Sequence, residues 1–267
     1  MSHTKQNTYF ISDIHLGLPN HEKSLEREKL LVKLLNELKE YAKTIYFVGD
    51  IFDFWWEYKY VSPSGYVRFL GKIAELTDSG IEIIFFTGNH DVWMKSYLPK
   101  ELGIRLFNKE LKAEINGKKF FIAHGDGLGK GDKGYKLLKI AFTSKFLQWC
   151  YSRLHPNFSF WLASLWSQTR RKKEKFYDFK GEKKEILVQF AKDTLKTEHF
   201  DYFIFGHRHF PVMLNIKKSK YANIGDWLIN FTFLKFDGTE LKQYSYKNGD
   251  IEPHKTDINA KYILDVF

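Results

Sequence analysis

Short apolar runs alternate along the chain with longer segments whose apolar side chains recur at helical spacing. In the N-terminal third, the short runs are rich in β-branched and aromatic residues, which favours strands, and the segments between them favour helices. The predicted elements are, in chain order, strand 9–11, helix 24–41, strand 45–48, helix 66–78 and strand 81–86. This alternation is typical of a βαβαβ unit.

The pattern becomes richer in strands from Lys112 onward. Asn116-Gly117 suits a tight turn between two short runs, which predicts a hairpin of strands 111–115 and 119–123. Further strands are predicted at 202–205, 212–216, 229–236 and 241–246, with a turn at Asp237-Gly238. Together with the N-terminal unit, these strands predict a mixed α/β sandwich with its helices on the outside.

The segment 135–197 has a different pattern, with helical spacing, no strand signal and one proline, Pro156, that marks a break. Its most regular part is an apolar stripe at helical spacing, formed by Phe158, Trp161, Leu162, Leu165 and Trp166. We interpret the segment as a helical cap inserted into a core of residues 1–134 and 198–250, which is followed by a C-terminal tail, 251–267.

Composition limits the classes of protein to which the chain can belong. With 267 residues, of which 43% are hydrophobic, it can bury a full core, which excludes intrinsic disorder, collagen-like repeats and disulfide-stabilised miniproteins. Lys and Arg outnumber Asp and Glu by 42 to 32, and residues 170–184 alone carry eight basic and three acidic side chains. This excess indicates an anionic partner, and charge alone does not choose among nucleic acid, a phosphorylated metabolite and a membrane surface.

The single cysteine, Cys150, excludes an internal disulfide and a thiolate metal site, so metal ligands are expected among His, Asp and Asn in a reducing compartment. The first residues show neither a hydrophobic nor an Arg-rich amphipathic leader, which predicts a protein that stays inside the cell. No apolar run approaches the roughly 18 residues that a membrane-spanning helix needs. Any membrane contact is therefore expected to be peripheral.

Five short polar motifs fall at the ends of predicted strands, where loops commonly carry functional residues. In chain order they are Asp13-Ile14-His15, Gly49-Asp50, Gly88-Asn89-His90-Asp91, His124-Gly125-Asp126 and Gly206-His207-Arg208-His209. Each motif alone is more often a turn or a surface histidine than a site. The five together place nitrogen and oxygen ligands in loops after successive strands, which favours a metal centre at one edge of the sheet.

Ligands of this kind suit the hydrolysis of a phosphate ester. Two divalent cations about 4 Å apart can hold a phosphate and lower the pKa of a bridging water. Asp50 is the candidate for a bridging carboxylate, and imidazole with carboxylate suits Mn, Fe, Co, Ni or Zn better than Mg or Ca. The glycines that precede Asp50, Asn89 and His207 predict turns in which the backbone comes close to a metal or a phosphate.

These motifs match the pattern D-x-H, G-D, G-N-H-[DE], H and G-H-x-H of calcineurin-like metallophosphoesterases, which the chain resembles from Asp13 to His209. The resemblance implies a four-layer α/β (α+β) sandwich of two mixed β-sheets flanked by helices, with an inserted helical cap. It also implies two divalent metal ions, for which we expect Mn²⁺. One ion would be held by Asp13, His15, Asp50 and His209, and the other by Asp50, Asn89, His124 and His207.

The same resemblance implies a catalytic pair. His90 would contact the phosphate or protonate the leaving oxygen, and Asp91 would orient the imidazole ring of His90. For Asp126, two roles stay open, because an Asp after a ligand His can orient that ligand or simply form a turn.

Beyond the metal motifs, the chain is similar to the UDP-2,3-diacylglucosamine pyrophosphohydrolases of bacterial lipid A synthesis. The resemblance includes the loop 124–135, the helical insertion and the segments 206–211 and 223–227, although members of that family often have Arg where this chain has His90. It implies hydrolysis of UDP-2,3-diacylglucosamine to UMP and the acylated sugar 1-phosphate. The residues expected to bind this substrate are Asp132, Tyr135, Arg153, Trp161, Trp166, Arg170 and Arg171.

The implied enzyme would act at the cytoplasmic face of the bacterial inner membrane, with peripheral attachment to anionic lipid and no obligate protein partner. The main alternative is a phosphodiesterase acting on nucleotides or nucleic acid, although nucleic acid is not the expected partner. A second alternative is a non-catalytic scaffold. The aromatic stripe and the basic run also have structural interpretations, as core and as solvated surface. The number of apolar residues in the insertion favours a lipid-binding cap.

Overall fold

The computed structural model of the chain describes residues 5–131, 133–171 and 176–263. The helices are α1 (His21–Leu38), α2 (Val67–Asp78), α3 (Tyr97–Leu102), α4 (Lys133–Thr143), α5 (Lys145–Tyr151), α6 (Pro156–Arg171) and α7 (Ile186–Thr194). The strands are β1 (Asn7–Ile11), β2 (Ala42–Val48), β3 (Glu82–Phe86), β4 (Arg105–Phe107), β5 (Leu111–Ile115), β6 (Lys118–Ala123), β7 (Phe176–Asp178), β8 (Tyr202–Phe205), β9 (Val212–Ile216), β10 (Ser219–Asn223), β11 (Thr232–Phe236), β12 (Leu241–Lys247), β13 (Asp250–Pro253) and β14 (Lys261–Ile263).

The strand predicted at 229–236 is shorter in the structure and begins at Thr232. The carboxylate of Asp226 accepts hydrogen bonds from the backbone N–H groups of Leu228 and Ile229, at 2.7 and 2.6 Å. These bonds hold a turn where the apolar pattern indicated a strand, because a side chain that binds local backbone groups competes with the ladder of a sheet.

Two mixed sheets form the core. The larger has the order β13-β12-β11-β1-β2-β3-β4, and the smaller has the order β5-β6-β8-β10-β9. Strands β1 to β4 are parallel to one another, as are β6, β8 and β10, whereas the flanking strands are antiparallel. Parallel strands end at the same edge of a sheet, so the loops that follow them are brought together.

Alternate residues of the central strands face different cores, as the two-residue period of a strand requires. In β1, Tyr9 and Ile11 pack with apolar residues of α1 and α2, whereas Phe10 packs between the two sheets. In β8, Ile204 packs between the sheets and Phe203 packs with α7. The layers therefore follow the order helix, sheet, sheet, helix, which confirms the predicted sandwich.

Helices α4, α5 and α6 lie in the inserted segment and contact the core through aromatic side chains. The indole nitrogen of Trp93 donates a hydrogen bond to the backbone oxygen of Phe142 in α4, at 2.9 Å. The ring of Trp93 stacks on that of Tyr151 in α5, and Phe54 meets Phe160 of α6 edge-on with centroids 5.1 Å apart. None of the helices in the described ranges has the length and apolar character needed to cross a membrane.

The inserted segment is less uniformly helical than the sequence pattern predicted. Pro156 is the first residue of α6, which agrees with the predicted break, because proline fits the first turn of a helix. After α6, however, the chain forms strand β7, and α7 buries Leu187 and Val188 in the core behind the smaller sheet. The prediction that the segment contains no strand is therefore wrong. Strand β7 has only three residues and pairs with β14, which lies far away in the sequence.

The C-terminal residues connect the larger sheet with the smaller one. Strand β13 forms one edge of the larger sheet, and the backbone N–H of His254 then donates to the oxygen of Gln243 at 2.9 Å. Thr256 accepts a hydrogen bond from the backbone N–H of Met213 in β9, and β14 pairs antiparallel with β7. The segment that had no predicted role thus ties β7 to the core.

Candidate functional site

The polar motifs lie in loops that leave the carboxyl ends of five parallel strands. Three of these strands belong to the larger sheet and two to the smaller. By strand, the residues are Asp13 and His15 after β1, Asp50 after β2, Asn89, His90 and Asp91 after β3, His124 after β6, and His207 and His209 after β8. The site is therefore assembled at the seam between the two sheets, as the sequence predicted for a metal centre at a sheet edge.

Asp50 is shared by two groups of potential metal ligands. In each group, every residue offers one ligand atom and these atoms all lie within 4.8 Å of one another. The first group consists of Asp13, His15, Asp50 and His209, and the second of Asp50, His124 and His207. The amide oxygen of Asn89 lies 3.4 Å from Nε2 of His124, next to the second group. The carboxylate of Asp50 thus belongs to two adjoining sets of potential metal ligands.

Most of the predicted ligands have a left-handed backbone conformation. The φ angles are 54° at Asp13, 48° at His15, 51° at Asp50, 67° at His207 and 53° at His209. Such angles are uncommon outside glycine and cost on the order of 1 kcal/mol per residue. Their concentration here indicates that the surrounding fold, rather than local preference, sets the direction of these side chains.

Three glycines allow the ligand loops to approach one another closely. A Cβ atom on Gly88 would lie 2.2 Å from Oδ1 of Asp50, and one on Gly49 would lie 2.5 Å from Nδ1 of His124. A Cβ atom on Gly206 would clash in the same way with the residues packed against it. Close approach of the backbone was predicted at all three positions, and the groups approached are the ligand side chains themselves.

Hydrogen bonds from loops of both sheets hold Asp13 in place. The hydroxyl of Ser12 donates to Oδ2 of Asp13 at 2.6 Å, and the backbone N–H of His207 donates to the same oxygen at 2.9 Å. The backbone oxygen of Asp13 accepts from the N–H of Trp227 at 3.0 Å. Trp227 ends the segment 223–227 that the sequence resemblance singled out, and this contact ties that segment to Asp13.

Burial and mutual interaction shift the pKa values of the cluster. Burial raises the pKa of Asp13 to about 7 and lowers that of His207 to about 4. Burial alone would also raise the pKa of Asp50, yet the imidazoles of His124 and His90 hold it well below its usual value. For His124, burial disfavours the charged ring, but the nearby carboxylates of Asp50 and Asp13 outweigh burial and raise the pKa to about 10.

These shifts describe a buried cluster in which protonated imidazole balances the charge of carboxylates. Removing charged groups from water is costly unless opposite charge lies close by. Divalent cations would supply that charge and leave the imidazoles neutral, as metal ligation requires. The donor set of imidazole and carboxylate, with one amide, therefore fits divalent metals.

His90 lies beside this cluster, and the carboxylate that contacts its ring is Asp53. Nδ1 of His90 lies 3.0 Å from the backbone oxygen of Asp53 and 3.3 Å from its Oδ1. Asp91 is buried and accepts hydrogen bonds from the backbone N–H groups of Gly88 and Ile51, both at 2.7 Å. These bonds tie Asp91 to the backbone of both loops, and its orienting role in catalysis stays a prediction.

Asp126 connects the site to the inserted helices. Its Oδ2 lies 2.6 Å from Nζ of Lys139 in α4. Burial would raise the pKa of Asp126, but the positive charges of His124 and Lys139 hold it below its usual value. Of the two roles left open by the sequence, a simple turn does not describe Asp126, because its buried carboxylate anchors the first cap helix beside the potential ligand His124.

The structure describes the side chains of two predicted substrate-binding residues, Arg153 and Trp161. The guanidinium group of Arg153 lies over the ring of Trp149, 5.0 Å from its centroid, and Trp161 packs against Phe158. Neither residue belongs to the ligand groups. Asp132 lies outside the described residues, as do the side chains of Tyr135, Trp166, Arg170 and Arg171.

The apolar stripe of α6 is exposed. Its described members, Phe158, Trp161, Leu162 and Leu165, are between 41% and 55% exposed. Large apolar side chains of α4 and α5 are exposed as well, namely Leu137, Ile140, Phe146, Leu147 and Trp149. A stripe that formed core would be buried, so the structural interpretation of the stripe does not hold. Exposed apolar surface of this extent is typical of a binding surface.

Tyr177, which the sequence did not single out, packs on His209, a potential metal ligand. Its ring stacks on the imidazole of His209, with centroids 4.6 Å apart and planes inclined by 12°. The backbone of Tyr177, in β7, pairs with that of Tyr262 in β14. Neither strand has a recognisable sequence pattern, so this contact could not be predicted.

Comparison with known proteins agrees with this geometry. Residues 7–211 match the sequence pattern of the family described as calcineurin-like phosphoesterase. A UDP-2,3-diacylglucosamine hydrolase of Porphyromonas gingivalis is 38% identical over 252 residues, which cover 89% of this chain and 96% of that protein. A protein of the same name from Proteus mirabilis is 27% identical over 246 residues, which cover 90% and 99% of the two chains. The solved structure of Yfce, a phosphoesterase from E. coli, superposes with a TM-score of 0.46 at 13% identity and covers 97% of this chain and 100% of that one.

Proposed function

This chain belongs to the calcineurin-like phosphoesterase family, and on that basis we propose that it hydrolyses the diphosphate bond of UDP-2,3-diacylglucosamine to give UMP and 2,3-diacylglucosamine 1-phosphate. The observation that carries the proposal is the extent of the match to the hydrolase of P. gingivalis, which includes 89% of this chain and 96% of that protein. A match of that extent reaches beyond the metal motifs into the inserted helices. It therefore concerns the part of the chain that is expected to choose the substrate.

The proposed enzyme uses two divalent cations, and Mn²⁺ is the proposed metal. When bound, such a pair polarises phosphate oxygens and lowers the pKa of a water. Mixed ligation by imidazole and carboxylate suits manganese. The first ion would be held by Asp13, His15, Asp50 and His209, and the second by Asp50, Asn89, His124 and His207.

The chain itself contributes position and a proton. His90 lies beside the cluster, and its Nδ1 faces Asp53. We therefore assign to its Nε2 the proton that is transferred to the leaving oxygen. Water supplies the oxygen that the attacked phosphorus gains, and a proton from His90 neutralises the oxygen whose bond to phosphorus breaks. The backbone N–H of His90 donates to Oδ1 of Asp50 at 2.8 Å, which fixes the proton donor relative to the shared ligand.

We assign recognition of the acyl chains to the inserted segment 135–197, and within it to α4, α5 and α6. The exposed apolar side chains of these helices offer a surface on which hydrocarbon can be buried. Each buried methylene is worth about 0.8 kcal/mol, so two acyl chains can dominate the choice of substrate. Trp161 and Arg153 are candidates from the described part of this segment, and Asp132, Tyr135, Trp166, Arg170 and Arg171 are candidates from the sequence.

The same helices support peripheral attachment to the cytoplasmic face of the inner membrane. Phe146 and Trp149 are exposed, and the basic residues Lys145 and Arg153 lie close to them in the sequence. Apolar and basic side chains together are the combination that binds anionic lipid surfaces. Binding to vesicles that contain phosphatidylglycerol, with release at high salt, is the expected result. Equal binding to vesicles of uncharged lipid at all salt concentrations would contradict an electrostatic contribution.

The proposed function is tested by comparing substrates with the purified, Mn²⁺-loaded protein. UMP release from UDP-2,3-diacylglucosamine is expected to exceed release from UDP-N-acetylglucosamine by at least about 100-fold in kcat/KM, since that factor corresponds to burying only three or four methylenes. Elemental analysis should find two metal ions per chain. Equal rates on the two nucleotide sugars, or activity confined to nucleic acid, would overturn the assignment.

A further inference from the structure

A cavity of about 160 Å³ opens beside the metal cluster, where His207 forms part of its lining. The remaining walls come from the loop after β6, from the segment between β7 and α7, and from Arg208. Within the segment between β7 and α7, the charged residues that line the cavity are Lys180, Lys184 and Glu185. We call this cavity the basic pocket, because its lining contains three basic residues and one acidic residue besides His207.

The charges of the basic pocket are only partly balanced. Arg208 pairs with Glu185 through two contacts, with Nε 3.0 Å from Oε2 and Nη2 3.1 Å from Oε1. This pair is largely buried, so it fixes one wall of the pocket and cancels its own charge. Within the described residues, the ammonium groups of Lys180 and Lys184 make no ion pair. In the part of the chain that the structure describes, the pocket therefore presents two positive charges without an ion-pair partner beside His207, a potential metal ligand.

The basic pocket and the apolar helices border different ends of the cluster. Phe160 of α6 packs on Phe54, which is adjacent to Asp53 in the loop after β2. His15, Asp53 and His90 form a third group of potential ligands, and it has no residue in common with the group of Asp50, His124 and His207. The cap thus meets the cluster near His90, and the basic pocket meets it near His207.

We propose that the basic pocket is the subsite for the nucleoside monophosphate half of the substrate, with Lys180 and Lys184 bound to its phosphate oxygens. This inference rests on the proposed function, because it divides that substrate between two unlike surfaces. A phosphate suits ammonium groups as point charges, whereas acyl chains suit the exposed apolar side chains of the cap. The apolar residues Leu128, Ile186 and Leu187 complete the lining and offer a surface for the base.

The test is equilibrium binding of UMP to the Mn²⁺-loaded protein, measured by calorimetry without turnover. In the double variant Lys180→Gln, Lys184→Gln, the Kd of UMP is expected to rise about tenfold, as the loss of two exposed charge contacts predicts. The matched control is Lys183→Gln, which removes an exposed charge of the same loop that does not line the pocket. This control should bind UMP as the parent does. Metal content, measured on each sample, should be unchanged in both.

Two further ligands identify what the pocket recognises. UMP should bind more tightly than inorganic phosphate to the parent protein, and the double variant should lose affinity for UMP while its weak binding of uridine does not change. An unchanged Kd for UMP in the double variant would overturn the proposal. Equal Kd values for UMP and inorganic phosphate would overturn it as well, because the pocket would then be a simple phosphate site. Failure of the parent protein to hydrolyse UDP-2,3-diacylglucosamine is a separate result that rejects the proposed function.

Discussion

Nδ1 of His90 lies 3.3 Å from Oδ1 of Asp53 and 3.0 Å from the backbone oxygen of the same residue. The two residues occupy the loops after β3 and β2, which are neighbouring parallel strands of the larger sheet. A carboxylate beside one nitrogen of an imidazole fixes the orientation of the ring and stabilises its charged form. The structure therefore places Asp53 where it would position His90, the proposed proton donor.

Removal of the proton donor should affect the rate and leave the metals in place. His90→Ala is expected to lower kcat by about 10²–10⁴-fold, which is the usual contribution of a positioned acid. Asp53→Asn should lower kcat by about 10–100-fold, because it preserves the shape of the contact and removes its charge. Elemental analysis of both variants should match the parent. Loss of metal in His90→Ala, or an unaltered rate, would refute the role of His90.

Asp91 should matter for stability, since both its oxygens bind backbone N–H groups in the interior. Asp91→Ala leaves the buried N–H groups of Gly88 and Ile51 without this acceptor, and each such group costs about 1–3 kcal/mol. We therefore expect the free energy of unfolding, measured with urea on metal-free protein, to fall by about 2–5 kcal/mol. An unchanged unfolding midpoint, with activity lost, would instead return Asp91 to a catalytic role.

Asp50 is the residue shared by both ligand groups, so its replacement should disturb both metals. Asp50→Asn is expected to lower metal content at the two sites together and to abolish turnover. The control is His209→Ala, which removes a ligand of the first group only. Metal analysis should show that this control keeps the ion of the second group. Two metals per chain in Asp50→Asn would exclude the bridging position.

Gly88 should tolerate no side chain, because a Cβ atom there would lie 2.2 Å from Oδ1 of Asp50. Gly88→Ala is therefore expected to displace the shared carboxylate and to reduce metal binding and turnover. Gly71→Ala in α2 is the matched control, since a Cβ atom at that position meets nothing within 4 Å. In a helix interior, this control should gain about 0.5–1 kcal/mol of stability. Equal metal affinity in Gly88→Ala and the parent would show that the loop can relax.

The exposed stripe of α6 should affect the acylated substrate alone. Replacing Trp161 and Leu165 with Ser is expected to raise KM for UDP-2,3-diacylglucosamine, because less hydrocarbon is buried. Hydrolysis of a small soluble diester such as bis(p-nitrophenyl) phosphate, and the melting temperature, should not change. Tyr60→Ser serves as the control, since Tyr60 is a highly exposed aromatic residue outside the cap. If both activities fall together, the stripe supports the fold and does not select the substrate.

The central strands and their layers were predictable because their apolar residues follow one another without interruption. Every residue of β8 and the last three residues of β1 lie in a core, so their apolar composition identifies them as buried strands. Strand β7 was not predictable, because it pairs only with β14 and its stability depends on that distant partner. For the same reason, α7 was assigned to the cap although it packs behind the smaller sheet.

The clustering of the potential metal ligands was predictable from motif order, whereas the residues that position their side chains were not. Asp91 was predicted to orient the ring of His90, and Asp53, which stands three residues after Asp50, was not singled out. Asp53 was identifiable only from the loop geometry that brings its carboxylate to Nδ1 of His90. The stacking of Tyr177 on His209 likewise depends on a strand pairing that no local pattern encodes.

The seam between the sheets also sets the order in which the site can form. His207 donates a hydrogen bond to Asp13 across 194 positions of the chain, and contacts of such long separation form late because they close the largest loops. A folding intermediate that contains only the larger sheet has Asp13, His15 and Asp50 but no imidazole from the smaller one. Such an intermediate offers a cation an incomplete and solvent-accessible set of ligands. The full set of potential ligands is therefore expected only in chains in which both sheets have formed.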